Sequence, residues 1–146
     1  MEVIKIIQWD MGHRVMNHRS ICKGLHGHRY KAEISIKGDL VDVKGVSEEG
    51  MVIDFADIKK LALSLIHSKL DHSFMVWDQD KEMIDFFNSS TGHKPVIVPF
   101  TPTAENVAKY IYDVLAPKIV DTYENDLRLN SVKVWETPTS CAVYSG

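Results

Sequence analysis

The 146-residue sequence has few of the features that mark secreted, membrane or nucleic-acid-binding proteins. It has only two cysteines, Cys22 and Cys141, so a framework of several disulfides is excluded. No segment approaches the run of about 20 apolar residues that a membrane helix needs, and residues 1–8 lack the basic and apolar regions of a secretory signal. Its 17 basic and 20 acidic residues include no long basic run, which disfavours nucleic-acid binding. We therefore expect a cytoplasmic protein with no nucleic-acid and no membrane partner.

Length and composition are those of an ordinary globular domain. The chain is 45% hydrophobic and 25% charged, and its length fits one domain over residues 1–146. A chain of this size can bury a core without a metal or a disulfide to hold it together. A bound metal is therefore expected to serve function and not folding.

The periodicity of apolar residues predicts an α+β domain. Five segments have the compact or alternating apolar pattern of strands: Glu2–Trp9, Arg29–Gly38, Pro95–Pro99, Asn130–Glu136 and Cys141–Tyr144. Three segments are predicted to be helices: 55–68, Lys81–Asn88, and the stretch from Thr103 to the residue before Pro117. This order favours an antiparallel sheet with two main helices packed on one face and open edges that invite oligomerisation.

His26-Gly27-His28 is the first candidate for chemistry. In an extended chain, residues two apart project to the same face, so these two imidazoles could share one cation. They are in phase with Tyr30 and the apolar residues that follow it, which predicts that they lie near a buried surface. Zinc needs a third donor, for which His13 is the first choice and His18 the alternative.

Cys22 lies four residues before His26 and between two basic residues, Arg19 and Lys23, that favour the thiolate. Two interpretations follow. If Cys22 is a ligand, the site is a closed structural zinc site with three histidines and one thiolate. If it is not, a three-histidine site keeps an open position for substrate, and the thiolate is free to act as a base. Chain size favours the second.

Other polar residues have both a functional and a simpler interpretation. Asp71-His72 could act as a proton relay or could be a solvated turn. Glu136 lies in the core phase of its strand, where it could bind a guanidine-like edge of a ligand or reach water. Glu105 suits the first turn of its helix through the macrodipole alone. Cys141 is expected to be a small core residue.

Six segments of the chain, in order, resemble the 6-pyruvoyltetrahydropterin synthase and 6-carboxytetrahydropterin synthase superfamily of the tunnelling fold. They are 12–14 (GHR), 22–30 (CKGLHGHRY), 50–57 (GMVIDFAD), 70–72 (LDH), 102–106 (PTAEN) and 134–137 (VWET). The resemblance spans nearly the whole chain. It implies a homohexamer, a dimer of trimers whose strands close into β-barrels, with active sites at subunit contacts.

The resemblance also implies a role for each matching residue. The implied zinc ligands are His13, His26 and His28. The implied catalytic residues are Cys22 as base, with Asp71 and His72 as acid/base partners. The implied pterin-binding residues are Glu136, with Thr103 and Glu105 helping to line the pocket.

The three residues between Cys22 and His26 resemble the carboxy branch of the family, which serves queuosine (7-deazapurine) biosynthesis. That branch converts 7,8-dihydroneopterin triphosphate to 6-carboxytetrahydropterin, releasing acetaldehyde and triphosphate. The first alternative is a 6-pyruvoyltetrahydropterin synthase, which only eliminates triphosphate. An alternative of another class is a non-catalytic, zinc-stabilised oligomerisation module. The basic residues nearest the site in sequence are candidates for binding the triphosphate: Arg14, His18, Arg19 and Lys23.

Overall fold

A computed structural model describes residues 1–123 and 127–146. Its centre is one six-stranded sheet with the order β4-β3-β1-β2-β5-β6. The strands are β1 (Glu2–His13), β2 (His26–Lys37), β3 (Ser73–Trp77), β4 (Pro95–Val98), β5 (Arg128–Thr137) and β6 (Ser140–Tyr144). Pairing is antiparallel from β1 through β2 and β5 to β6, whereas β3 runs parallel to both β1 and β4. The sheet is therefore mixed, whereas the sequence pattern predicted an antiparallel sheet.

In the part of the chain that the structure describes, three α-helices of eight or more residues accompany the sheet. They are α1 (Phe55–Ala62), which continues through a π-helical stretch (Leu63–His67) to a last turn (Ser68–Leu70), α2 (Lys81–Ser89) and α3 (Ala104–Thr122). Each begins after a side chain that caps it. Asp54 accepts a hydrogen bond from the Ala56 amide at 2.7 Å, and Asp80 and Thr103 cap α2 and α3 in the same way.

The core lies between one face of the sheet and helices α1 and α3, as expected for the α+β class. Alternate residues of each strand point to it, and the apolar stripes of both helices cover them. Fully buried examples from strands and helices are Trp9, Tyr30, Ile34, Val132, Ile58, Ile66, Ile111 and Leu115. No described helix combines the length and the apolar character needed to span a bilayer.

Four elements differ most from the sequence prediction. The first two strands are longer than predicted, because β1 reaches His13 and β2 begins at His26, so the irregular loop is only 14–25. Strand β3 was missed, since its short apolar run has no alternation to distinguish a strand from a buried helical segment, and its pairing with β1 is long-range. Helix α3 continues past Pro117 to Thr122, where burial of Ile119 offsets the hydrogen bond that proline removes.

Candidate metal centre and active site

The pairing of β1 with β2 brings three histidines together. His13 and His26 are direct cross-strand partners, and His28 is two residues along on the same face. One nitrogen from each ring lies within 4.8 Å of the others. His13 is buried, with 1% of its surface exposed, and the other two are half-buried. The parity expected from the His-x-His spacing therefore holds in the structure.

Backbone carbonyls orient two of the three rings of this cluster. Nδ1 of His13 lies 2.6 Å from the carbonyl oxygen of Pro102, and Nδ1 of His26 lies 2.7 Å from that of Gly24. Because a carbonyl can only accept, both Nδ1 atoms carry the proton and both Nε2 atoms present a lone pair. Nε2 of His28 is buried and has no hydrogen-bond partner. Burial lowers the pKa of His13, which favours the neutral imidazole that a metal binds. These donors fit a divalent metal such as zinc.

Cys22 lies outside this cluster. Within the described residues, neither its sulfur nor a nitrogen of His18 belongs to the group of ligand atoms around His13. Cys22 is half-buried in a single helical turn, Ile21–Lys23, and its carbonyl accepts a hydrogen bond from the Val15 amide at 2.8 Å. This arrangement matches the open three-histidine site better than the closed four-ligand one. The role of the thiol as a base stays a prediction.

A carboxylate and a phenol stand beside the histidine cluster. Glu136 Oε1 lies 3.4 Å from Nε2 of His13. The Tyr30 hydroxyl lies 3.2 Å from that nitrogen and 3.4 Å from that oxygen, so it can donate its proton to either. Burial raises the pKa of Tyr30, so its hydroxyl stays protonated and able to donate. Glu136 also lines an open cavity of about 610 Å³, together with Lys31 and Trp135. The carboxylate is thus next to both the candidate metal centre and a space large enough for a small planar ligand.

Asp71 and His72 are the two residues before β3, and they form a hydrogen-bonded pair next to β1. One Asp71 oxygen accepts from the Asp10 amide at 3.1 Å, and the other lies 2.9 Å from Nδ1 of His72. The amide hydrogen bond from Asp10 lowers the pKa of Asp71, which keeps it ionised. His72 has a left-handed backbone with φ of 56°, and it lines a cavity of about 580 Å³ that also includes His26 and His28. Strain of this kind is concentrated at functional positions.

The remaining candidate residues lie elsewhere. Thr103 caps α3 and Glu105 is exposed on its first turn, and neither lines the cavity beside Glu136. Arg14 is bound by carboxylates of Asp80 and Glu82, so it is not a free cation for a triphosphate. The expectation that Cys141 is a core residue is wrong. It is exposed, because it pairs with Trp135 on the sheet face that carries no helix.

Sequence reasoning missed two groups that shape the site. Tyr30 was assigned only to the core, although its spacing of two from His28 placed it on the face of the metal cluster. The Pro102 carbonyl carries no signal in the sequence, since any residue could supply a carbonyl oxygen. Its part in the site depends on where α3 begins relative to β1.

Fold and site together define an α+β protein with a candidate three-histidine metal centre beside a carboxylate-lined cavity. The chain belongs to the 6-pyruvoyl tetrahydropterin synthase family, whose model matches residues 2–146. A 6-carboxy-5,6,7,8-tetrahydropterin synthase of Haemophilus influenzae is 35% identical over 146 residues, covering 98% of this chain and 97% of the relative. Another of that name, from Rickettsia conorii, is 39% identical over 132 residues, covering 90% of this chain and 91% of the relative.

Solved structures support the same fold. A 6-pyruvoyl tetrahydropterin synthase of Caenorhabditis elegans superposes with a TM-score of 0.65 at 24% identity, over 100% of this chain and 95% of the other. An uncharacterized protein of Wolinella succinogenes gives a TM-score of 0.77 at 23% identity, over 100% of this chain and 98% of the other. At these identities the likeness establishes the fold alone.

Proposed function

We propose that the protein is a zinc-dependent 6-carboxytetrahydropterin synthase. It converts 7,8-dihydroneopterin triphosphate to 6-carboxytetrahydropterin, with release of acetaldehyde and triphosphate, in the cytoplasm and for queuosine biosynthesis. The observation that carries the proposal is the cluster of three imidazoles, one nitrogen of each within 4.8 Å of the others, beside Glu136 and its cavity. The names of the Haemophilus and Rickettsia relatives support the carboxy branch.

His13, His26 and His28 would hold the zinc. When bound, the metal would acidify the side-chain hydroxyl groups of the pterin substrate. Cys22 would remove a proton from a side-chain carbon, since its thiol lies outside the ligand group and between two basic residues of the sequence. The carbonyl oxygens of Pro102 and Gly24 would keep two of the rings oriented.

Glu136 would bind the 2-amino-pyrimidinone edge of the pterin. A carboxylate can accept two parallel N–H hydrogen bonds from such an edge, and the cavity beside it has room for the ring. Tyr30 would steady the carboxylate from the core side through its hydroxyl. Thr103 and Glu105 would contribute only if the bound ligand extends to the start of α3.

Asp71 and His72 would move protons during the reaction. The Asp71 carboxylate holds Nδ1 of His72 and leaves Nε2 directed away from it. The His72 side chain is 80% exposed, as expected of a group that works at a subunit contact. We include in the proposal a homohexamer whose active sites lie at such contacts. His18, Arg19 and Lys23 are the remaining candidates for binding the triphosphate.

The test is the fate of 7,8-dihydroneopterin triphosphate with the purified, zinc-loaded protein. We expect one acetaldehyde per triphosphate released, and 6-carboxytetrahydropterin by mass spectrometry. A diketo pterin formed without acetaldehyde would instead indicate the 6-pyruvoyl reaction. That reaction is the second candidate, and the name of the matching family favours it. No turnover, together with unfolding when the metal is chelated, would support the alternative of a non-catalytic, zinc-stabilised oligomerisation module. The Cys22→Ala variant is the blank for adventitious phosphatase activity.

A further inference from the structure

Arg14, the residue after His13, is fixed by a buried carboxylate from a distant part of the chain. Its Nε and Nη2 atoms each lie 2.6 Å from an oxygen of Asp80, a two-point contact that matches the guanidinium fork. Asp80 is 2% exposed and also caps α2 by accepting from the Met83 amide at 3.3 Å. Glu82 makes a third contact with Nη2 at 2.7 Å, but its side chain is 73% exposed. Asp80 is therefore the anchor.

The segment that follows Arg14 has little else to hold it. Every residue from 14 to 25 is either exposed or half-buried. Its recorded hydrogen bonds are internal except for the one from His26 to the Gly24 carbonyl, and one of the internal bonds joins the Val15 amide to the carbonyl oxygen of Cys22 at 2.8 Å. Because Val15 adjoins Arg14, the Asp80 carboxylate is connected to Cys22 through one ion pair, one peptide bond and one hydrogen bond.

We propose that Asp80 is a positioning residue for Cys22: the buried Asp80–Arg14 ion pair fixes the start of the 14–25 segment and so holds the thiol beside the three-histidine centre. The inference rests on the proposed function for the role of the thiol, and it adds a role for the segment between β3 and β4, which supplies Asp80. Asp80 touches neither the histidine cluster nor the cavities beside it. It acts through Arg14.

Two variants with the same charge change separate the anchor from a surface contact. Asp80→Asn keeps a side chain that caps helices as well as aspartate does, yet removes the charge and one of the two acceptors for Arg14. Glu82→Gln removes the charge from the exposed contact with the same guanidinium and is the matched control. Arg14→Lys is the second variant, since an ammonium keeps the charge and cannot make the two-point contact.

The readout is the rate of iodoacetamide labelling of each cysteine in the zinc-loaded protein, followed by peptide mass spectrometry. Cys141 is exposed on β6 and serves as the internal reference. We expect Asp80→Asn to raise Cys22 labelling relative to Cys141 by about tenfold, as its segment opens locally. Arg14→Lys should shift it in the same direction, and Glu82→Gln should change it less than about twofold.

Turnover gives the second readout. We expect kcat of Asp80→Asn to fall about 10- to 100-fold with KM and zinc content close to those of the wild type, because the base is misplaced while ligands and pocket are intact. Unchanged Cys22 labelling in Asp80→Asn and Arg14→Lys, or equal changes in Glu82→Gln, would overturn the proposal. If the wild type makes no pterin product but Asp80→Asn still exposes Cys22, the positioning role stands and the proposed reaction fails.

Discussion

Nδ1 of His13 lies 2.6 Å from the carbonyl oxygen of Pro102, which joins the last residue of β1 to the residue before the α3 cap. The contact fixes the tautomer of a buried imidazole, since the carbonyl accepts and Nδ1 must donate. It also orients the ring and leaves Nε2 as the nitrogen that could bind a metal. The metal centre therefore depends on the packing of α3 as well as on the β1–β2 pair.

Removal of the metal is expected to abolish turnover and leave the protein folded. The core between the sheet and the helices is apolar. Of the three histidines, only His13 is buried next to it. The measurement is far-UV circular dichroism and metal content before and after chelation, with zinc added back to restore activity. Cooperative unfolding at the moment of metal loss would contradict this expectation.

Replacing Cys22 by Ala is expected to lower kcat by about two to four orders of magnitude while zinc content persists. The physical reason is loss of the base from a site whose ligand group does not contain the thiol. Cys141→Ala is the matched control, because Cys141 lies on β6 and should leave turnover unchanged. Loss of zinc in Cys22→Ala would make the thiol a ligand.

Glu136→Gln is expected to weaken pterin binding. A hydrogen bond to a charged group contributes about 1.5 to 3 kcal/mol, so Kd should rise roughly tenfold or more. Binding is measured by isothermal titration with a non-reactive pterin. Glu48→Gln, the same change on an exposed loop, is the control, and an unaltered Kd in Glu136→Gln would mean that the carboxylate only reaches water.

His72→Asn should separate the backbone at this position from the imidazole. Asparagine tolerates the left-handed conformation that His72 adopts at φ 56°, so the melting temperature should stay near that of the wild type. Turnover should fall about 100-fold or more through loss of the proton carrier. Full activity in a folded His72→Asn protein would return Asp71-His72 to the interpretation of a solvated turn.

Stability should depend on the Asp80 charge at neutral pH and not in acid. The Arg14 guanidinium beside Asp80 lowers the pKa of that carboxyl below its ordinary value of 3.8. A carboxyl with a lowered pKa in the folded state stabilises the protein above its unfolded pKa, and this stabilisation is lost as the pH falls through the folded pKa. In urea unfolding, the deficit of Asp80→Asn should therefore be largest above about pH 5 and shrink below about pH 4. A deficit that is the same at both would show that charge is not involved.

Much of the site could be predicted from the sequence because its parts are local. The spacing of His26, His28 and Tyr30 fixed one face of an extended chain, and alternation along β2 made that face the buried one. Helices α1 and α3 begin where the sequence predicts, after Asp54 and Thr103, because each of these side chains caps its helix through a hydrogen bond that acts within three residues. None of these inferences needed a distant part of the chain.

Only the tertiary structure decided the contacts between segments that are far apart in the sequence. The Pro102 carbonyl meets His13 across 89 positions, and Asp80 meets Arg14 across 66. Neither leaves a periodic or spacing signal, because a carbonyl is present at every residue and a charge on a loop reads equally well as solvated. The parallel strand β3 and the exposure of Cys141 follow the same rule, since sheet neighbours and uncovered faces are set by how segments pack.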